Sequence, residues 1–219
     1  GLNPDFVICR SDEPATLDIK KTISNVCSLP IDRIISAPDV YSIYDVPVNF
    51  EKDNLGATLL KVMGLPPRDK DLIEWVKLAR KIPKIKKEIQ IGVVGKYFNF
   101  KSVKDTYISV IESIHHASWA QNLRPNILWL DSEKYEKNSK LLGELDKLDG
   151  IIVPGGFGSR GVEGMILAAG YARRKKIPYF GLCYGMQLMV IEYARNVLGM
   201  KDAHTSEINP EAKNLVIDI

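Results

Sequence analysis

One five-residue stretch, Gly181-Leu182-Cys183-Tyr184-Gly185, places a cysteine between glycines at the spacing of a nucleophile elbow. In an elbow, a sharp strand-to-helix turn exposes the nucleophile, and the glycines let backbone and substrate approach closely. The context fits, because residues 177–180 predict a short strand and residues 186–198 have helical spacing. A helix N-terminus also carries partial positive charge, which favours a thiolate over a thiol. We therefore predict that Cys183 is a nucleophile rather than a small core residue.

A second glycine-rich segment, Gly155-Gly156-Phe157-Gly158, follows a predicted strand over 150–154. A nucleophile that attacks an acyl group needs N–H donors for the oxyanion that forms. The backbone N–H of Tyr184 and an N–H of this segment are candidates for that role. The competing interpretation is a phosphate-binding loop, because Gly156, Gly158 and Gly161 have the spacing GxGxxG, but no acidic residue follows about 20 residues further on. The sequence therefore favours an oxyanion-binding loop.

From Glu88 onward, strands and helices alternate in a way that can position these two segments. The predicted strands are 89–94, 126–130, 150–154 and 179–182, and the predicted helices are 105–120, 139–148, 161–176 and 186–198. The apolar, nearly continuous strands indicate a doubly wound, mostly parallel α/β sheet that is covered on both faces. In such sheets, the site lies beyond the carboxyl ends of the strands. We therefore expect it among residues 95–99, 155–160 and 182–187.

The residues before Glu88 predict part of another α/β domain. Strands over 5–9 and 33–36 enclose a helix over 16–26, and helices over about 50–63 and 69–81 follow. Residues 80–87 are rich in Lys and Arg, which suits an exposed linker. They lack the interleaved aromatic residues and the wide basic face of a nucleic-acid surface.

Composition and charge exclude several classes of protein. The chain has 219 residues, which is about one and a half domains, and its 45% hydrophobic and 26% charged residues are typical of a globular protein. Thirty Lys and Arg against 27 Asp and Glu give a net charge of +3, too balanced to indicate nucleic acid or a membrane surface as the main partner. No apolar run reaches the roughly 18 residues of a membrane span, so we expect a cytoplasmic protein. Three cysteines without CxxC spacing predict neither a disulfide framework nor a metal site.

Several motifs together resemble the class I glutamine amidotransferase domain of the CTP synthases. They are VPGGFGSRGVEGM over 153–165, YFGLCYGMQ over 179–187 and HTSEINP over 204–210. The resemblance extends to GVVGKY over 92–97 and, earlier, to PDFVICRSD over 4–12 and PDVYSIYDVP over 38–47, which are similar to the end of the synthetase domain. It thus covers essentially the whole chain. The resemblance implies a partial amidotransferase-like fold over 88–219, a helical and basic interdomain linker over 51–87, and the end of a P-loop synthetase-like domain over 1–50.

The resemblance also implies a reaction. Cys183 would attack the side-chain amide of glutamine, form a glutamyl thioester and release ammonia, which would aminate ATP-activated UTP to CTP. The glutamine contacts carried over are Gly156, Tyr184, Gly185, Met186, Gln187 and Glu207, with Gly156 and Tyr184 near the oxyanion. ATP contacts are expected at Pro38, Asp39 and Val40, with Arg10 near the nucleotide sites. A response to the allosteric activator GTP is expected through Phe157 and Arg160.

The partners implied are small molecules, namely glutamine, UTP, ATP, GTP and CTP, without nucleic acid or membrane. The complete enzyme would be a homotetramer that uses Mg²⁺ with ATP, and we expect the Mg²⁺ ligands and the phosphate-binding loop outside this chain. One departure is Thr22, which stands where the family has a lysine that touches the pyrimidine nucleotide. Either Lys20 or Lys21 compensates, or the contact is lost.

A second departure concerns the general base. The family has a His-Pro-Glu motif after the nucleophile, and His204 does not match it. We therefore expect an internal segment with an incomplete triad that is inactive alone. Two alternatives remain: a noncatalytic glutamine-binding or assembly module, and another cysteine hydrolase of the same fold. The latter would have an acidic residue in place of Gln187 and a triad complete within the chain.

Overall fold

A computed structural model describes residues 3–96 and 106–218, which form two compact units that divide between Lys84 and Ile85. The division lies within the 51–87 stretch that the sequence analysis assigned to a linker. The helices of that stretch belong to the first unit.

The first unit is built on two parallel strands, β1 (Val7–Ser11) and β2 (Ile34–Pro38), which are joined by helix α1 (Leu17–Cys27). This helix begins at Thr16, whose hydroxyl accepts a hydrogen bond from the N–H of Ile19. Ile34 and Ile35 of β2 are buried and form the centre of the unit. The predicted β-α-β unit is confirmed.

Three further helices complete this unit: α2 (Val46–Lys52), α3 (Leu55–Val62) and α4 (Ile73–Lys81). The prediction of one continuous helix over 50–63 is wrong, because the chain turns at Asn54, which has a φ of 60°. Asparagine adopts this left-handed conformation more readily than most residues. Trp75 of α4 donates its indole N–H to the carbonyl of Tyr44 at 2.6 Å and holds α4 against the preceding turn.

The second unit contains a parallel sheet in the order β4-β3-β5-β6. Its strands are β3 (Glu88–Gly95), β4 (Arg124–Asp131), β5 (Gly150–Val153) and β6 (Tyr179–Gly181). Its helices are α5 (Ile108–Ala120), α6 (Ser132–Lys137), α7 (Val162–Lys175) and α8 (Tyr184–Asn196). Two short strands, β7 (Ala203–Thr205) and β8 (Asn214–Ile217), pair in parallel beside it. The predicted parallel α/β fold is confirmed. The strand order reverses between β3 and β5, which is where ligands bind in such sheets.

Two local predictions for this unit differ from the structure. Residues 139–148, predicted as a helix, form a 3₁₀ segment over Ser139–Lys147. Helix α6 was not predicted, although Asp131 marks its start by accepting a hydrogen bond from the N–H of Glu133 at 3.0 Å. The start of the predicted helix 105–120 lies outside the described residues.

Helices α7 and α8 pack together around a buried ion pair. The carboxylate of Glu192 is fully buried and accepts hydrogen bonds from Nε and an Nη of Arg173 at 3.0 and 2.9 Å. A carboxylate at such a depth is stable only when paired in this way. The pair therefore fixes α8, whose N-terminus follows the predicted nucleophile.

The sheet face next to α5 carries an apolar groove of about 640 Å³. It is lined by Ile89, Ile91 and Ile152 of the sheet, and Phe180 of β6 is 61% exposed. Part of this face is therefore open in the described part of the chain, whereas the sequence predicted a sheet covered on both faces. Within residues 3–96 and 106–218, no helix has the length and apolar character that crossing a membrane requires.

Candidate active site

Cys183 occupies a strained turn between β6 and α8. Its φ of 51° and ψ of −106° are unusual for a residue other than glycine, and its side chain is exposed. The turn is tied to the sheet by the N–H of Leu182, which donates to the carbonyl of Val153 at 2.9 Å. The N–H of Gly185 donates to the carbonyl of Leu182 at 3.0 Å and closes the turn. The predicted strand-turn-helix context of the cysteine is therefore confirmed.

Gly181 and Gly185 are required by the closeness of the backbones around this turn. A methyl group on Gly181 would lie 2.5 Å from the backbone N of Met186. A methyl group on Gly185 would lie 2.8 Å from the carbonyl carbon of Val153. Both contacts are far inside van der Waals separation, so only glycine allows β5, β6 and α8 to approach this closely.

The loop of residues 155–158, called the glycine loop below, lies beside the cysteine. A methyl group on Gly155 would lie 3.6 Å from Cβ of Cys183, and one on Gly156 would lie 3.8 Å from Cδ1 of Tyr184. The hydroxyl of Tyr184 donates to the carbonyl of Gly158 at 2.9 Å. The structure thus brings together the two segments that the sequence analysis singled out.

Lys96, at the carboxyl end of β3, is bonded to the same loop. Its side chain is buried, with only 3% of the residue exposed. Its Nζ donates to the carbonyl of Phe157 and, at 2.8 Å, to that of Gly158. It also lies 5.5 Å from the centre of the Tyr184 ring. Lys96 is therefore part of the candidate site.

The pKa of Lys96 is lowered, first by burial and then by the positive charge of Arg160. The carboxylates of Glu207, Glu133 and Glu136 act in the opposite direction. The sequence placed the site among residues 95–99 but did not predict a role for Lys96 itself. The available signal was a lysine directly after an apolar strand, at the sheet edge where the site was expected.

Glu207 approaches the glycine loop from the segment that follows β7. Its Oε1 accepts a hydrogen bond from the N–H of Gly158 at 3.2 Å, and its own N–H donates to Oγ1 of the buried Thr205 at 3.3 Å. His204, in contrast, accepts the N–H of Thr205 at Nδ1, and its pKa is lowered chiefly by burial. Within the described residues, no histidine is hydrogen-bonded to the thiol of Cys183.

The first turn of α8 contributes three more of the predicted glutamine contacts. Gly185 is buried and Met186 is half-exposed. The side-chain oxygen of Gln187 is buried and has no hydrogen-bond donor among the described residues. A buried amide oxygen without a donor is unfavourable, so this atom is an unsatisfied polar group in the first turn of α8.

The two residues expected to respond to GTP lie on the outer side of the glycine loop. Phe157 is 77% exposed. Arg160 is also exposed, and its Nε pairs with Oε1 of Glu133 at 2.8 Å. Glu133 belongs to α6, so this helix takes part in holding the loop's continuation.

In the first unit, Pro38, Asp39 and Val40 lie at and after the end of β2. The N–H of Asp39 donates to the carbonyl of Ser11 at 2.9 Å, and its Oδ1 accepts from Nε of Arg10 at 3.2 Å. Both side chains are exposed. Val40 lines a small depression of about 270 Å³ within this unit. The structure therefore brings together Arg10 and the expected ATP contacts.

The lysines beside Thr22 differ in their surroundings. Nζ of Lys20 pairs with Oδ1 of Asp53 at 2.6 Å, and only 14% of the Lys20 side chain is exposed. Asp53 also accepts the N–H of Ser36 at 2.6 Å. Lys20 is thus occupied inside the unit, whereas Lys21 is exposed. Of the two substitutes considered for the missing lysine, only Lys21 presents its ammonium at the surface.

Among the residues that the structure describes, no group of three or more His, Cys, Asp and Glu side chains is arranged to hold a metal ion.

Comparison with known proteins links both units to one group of enzymes. Residues 102–216 match the family described as glutamine amidotransferase class-I, and residues 1–65 match the family described as CTP synthase N-terminus. CTP synthases of Thermococcus gammatolerans and Carboxydothermus hydrogenoformans are 42% and 44% identical over all 219 residues. The chain spans 40% of the length of each.

A solved structure, the glutaminase domain of Trypanosoma brucei CTPS with bound acivicin, is also similar. It superposes with a TM-score of 0.56 at 44% identity, and the match covers 60% of this chain and 50% of that one. The match to the glutamine amidotransferase class-I family lies within the unit that carries Cys183.

Proposed function

Because the chain belongs to the class-I glutamine amidotransferase family and matches CTP synthases along its whole length, we propose that it releases ammonia from glutamine for the amination of UTP. The observation that carries this proposal is the strained Cys183 elbow beside the glycine loop. Nucleophile and loop together are the two parts that attack on an amide requires.

In the proposed reaction, the thiolate of Cys183 attacks the side-chain carboxamide carbon of glutamine. The negative charge that develops on the amide oxygen is stabilised by the N–H of Tyr184 and an N–H of the glycine loop near Gly156. The C–N bond then breaks, the amide nitrogen takes up a proton and leaves as ammonia, and a glutamyl thioester remains. Water hydrolyses the thioester to glutamate and regenerates the thiolate.

Recognition of glutamine is proposed to use the groups that flank the cysteine. Glu207 offers a carboxylate to the substrate's ammonium, since it lies exposed next to Gly158. Gly185, Met186 and Gln187, in the first turn of α8, are the other contacts proposed for glutamine. These groups discriminate an α-amino acid from a simple amide.

We predict that Glu207→Gln raises the KM for glutamine about 30-fold, because a charge-assisted hydrogen bond contributes about 2 kcal/mol to the free energy of binding. Glutamine keeps an oxygen that can accept the N–H of Gly158, so kcat should stay within about threefold. Steady-state ammonia release by the intact protein measures both constants. Glu211→Gln, at an exposed position nearby, is the matched control and should change neither. A fall in kcat at constant KM would contradict the assignment.

The first unit is proposed to contribute to nucleotide binding. Pro38, Asp39 and Val40 would contact the adenosine end of ATP, with Arg10 held nearby by Asp39. The ammonia released at Cys183 would aminate UTP at its 4-position to give CTP, with ATP and Mg²⁺ bound by the complete homotetrameric enzyme. GTP would act through the exposed Phe157 and Arg160, which continue directly from the glycine loop.

The proposal is tested with acivicin, the compound bound in the similar glutaminase domain. Incubation with the intact protein should give one covalent adduct, located on Cys183 by peptide mass spectrometry, and excess glutamine should slow its formation. Cys9 and Cys27 of the first unit serve as internal controls and should remain unmodified. Equal labelling of all three cysteines, or binding of glutamine without ammonia release, would contradict the proposed glutaminase.

A further inference from the structure

We infer that Lys96 is a positioning residue for the proposed glutaminase reaction, because its ammonium holds the glycine loop in the orientation that presents backbone N–H groups to Cys183. The inference rests on the proposed function of Cys183. It concerns a residue at the end of β3 that touches the loop rather than the thiol.

The peptide unit between Phe157 and Gly158 is bonded on both of its sides. Its carbonyl accepts from Nζ of Lys96, and its N–H donates to Oε1 of Glu207 at 3.2 Å. The carbonyl and N–H of a planar trans peptide point in opposite directions. A cation on one side and a carboxylate on the other therefore fix the rotation of this peptide unit.

The next carbonyl along the loop is fixed as well. The carbonyl of Gly158 accepts from Lys96 at 2.8 Å and from the hydroxyl of Tyr184 at 2.9 Å. Gly158 itself has a φ of +73°, which favours glycine. Two successive carbonyls thus converge on one ammonium, in the residues that directly follow Gly155 and Gly156.

Among the residues that the structure describes, few contacts hold the loop apart from those of Lys96, Tyr184 and Glu207. Three of its four residues are glycines, which lose more conformational freedom on ordering than any other residue. Its one side chain, Phe157, is 77% exposed and so contributes little packing. Polar contacts from outside the loop must therefore supply its order, and Lys96 makes two of them.

Placing the Lys96 ammonium in this buried position carries an electrostatic cost. Lys96 is only 3% exposed, and burial disfavours its charged form. The two loop carbonyls, the ring of Tyr184 and the carboxylates of Glu207 and Glu133 offset that cost. The charge and the loop therefore stabilise one another, and loss of the charge should release the loop.

The test compares Lys96→Met and Lys96→Arg in the intact protein. Removing a donor from an oxyanion hole lowers kcat about 10²- to 10³-fold. Lys96→Met should loosen the loop that carries such a donor, so we expect its kcat for glutamine to fall about 30-fold. We expect KM to change less than about threefold, and Lys96→Arg to recover at least about a third of kcat, because arginine retains charged donors. A role limited to folding would not produce this split between kcat and KM.

Alkylation of the same variants by iodoacetamide distinguishes an effect on the glycine loop from an effect on the reactivity of the Cys183 thiol. This reagent needs no oxyanion site, so the rate of alkylation at Cys183 should stay within about twofold of the rate in the protein without the substitution. Lys201→Met, at an exposed lysine of the same unit, is the control for loss of one positive charge. If Lys96→Met does not fold, Lys96→Gln takes its place with the same expected result.

Two results overturn the inference. In the first, the protein without substitutions turns over glutamine and Lys96→Met has a kcat within about threefold of it. This result would show that Lys96 does not position the loop, and it would leave the proposed function intact. In the second, the unmodified protein neither releases ammonia nor reacts with acivicin at Cys183, which removes the proposed function and the inference together.

Discussion

Replacing Cys183 with alanine is expected to lower glutamine hydrolysis by at least about 10⁴-fold, because the covalent route disappears with the nucleophile. The glycine loop and the substrate contacts of α8 remain, so glutamine should still bind with a Kd within about threefold of normal. Ammonia release and calorimetric titration with glutamine, both on the intact protein, measure the two effects.

The same variant separates the two proposed activities. Formation of CTP from UTP, ATP and free ammonia does not use the thiol, so Cys183→Ala should retain it while losing glutamine-dependent synthesis. Cys27→Ala, which alters a cysteine of the first unit, is the control and should retain both. If Cys183→Ala still hydrolyses glutamine, Cys183 is not the nucleophile. Loss of the ammonia-dependent activity would indicate a wider structural defect.

The parts of the fold that could be predicted are those in which local sequence and tertiary packing agree. The strands of the sheet are apolar and short, and each is followed by a helical pattern, so β3, β5 and β6 lie close to their predicted positions. The elbow was recognisable because its glycines are needed for backbone contacts within a few residues of Cys183.

The parts that could not be predicted depend on partners distant in sequence or on one conformational choice. Lys96 acts on a loop 61 residues away, and no local pattern reports that contact. Asn54 interrupts what reads as one helix only because it adopts a positive φ. From the sequence, Lys20 and Lys21 are equally suited to replace the lysine that is absent at position 22. In the structure, Lys20 forms an ion pair with Asp53. The two lysine cases were decided by tertiary contacts rather than by propensity, and the break at Asn54 by a single backbone conformation.

Gly185→Ala is expected to combine a large loss of stability with a loss of activity. Its new methyl group would lie 2.8 Å from the carbonyl carbon of Val153 and closer still to the carbonyl oxygen, so β5 and α8 would have to separate. Overpacking against rigid backbone should lower the free energy of unfolding by about 3 kcal/mol, or the apparent Tm by about 6–12 °C. Calorimetry measures the shift, and hydrogen exchange should place it in β5 and α8.

Catalysis should fall as well, because α8 carries the turn that positions Cys183. A displacement of about 1 Å at a reacting group lowers the reaction rate about 10²-fold. The folded fraction of Gly185→Ala should therefore turn over glutamine at least that much more slowly. Gly143→Ala is the matched control, since no atom lies within 4 Å of its added methyl group. It should shift stability by less than about 0.5 kcal/mol. Equal effects of the two substitutions would show that close contact between β5 and α8 is not what requires glycine at position 185.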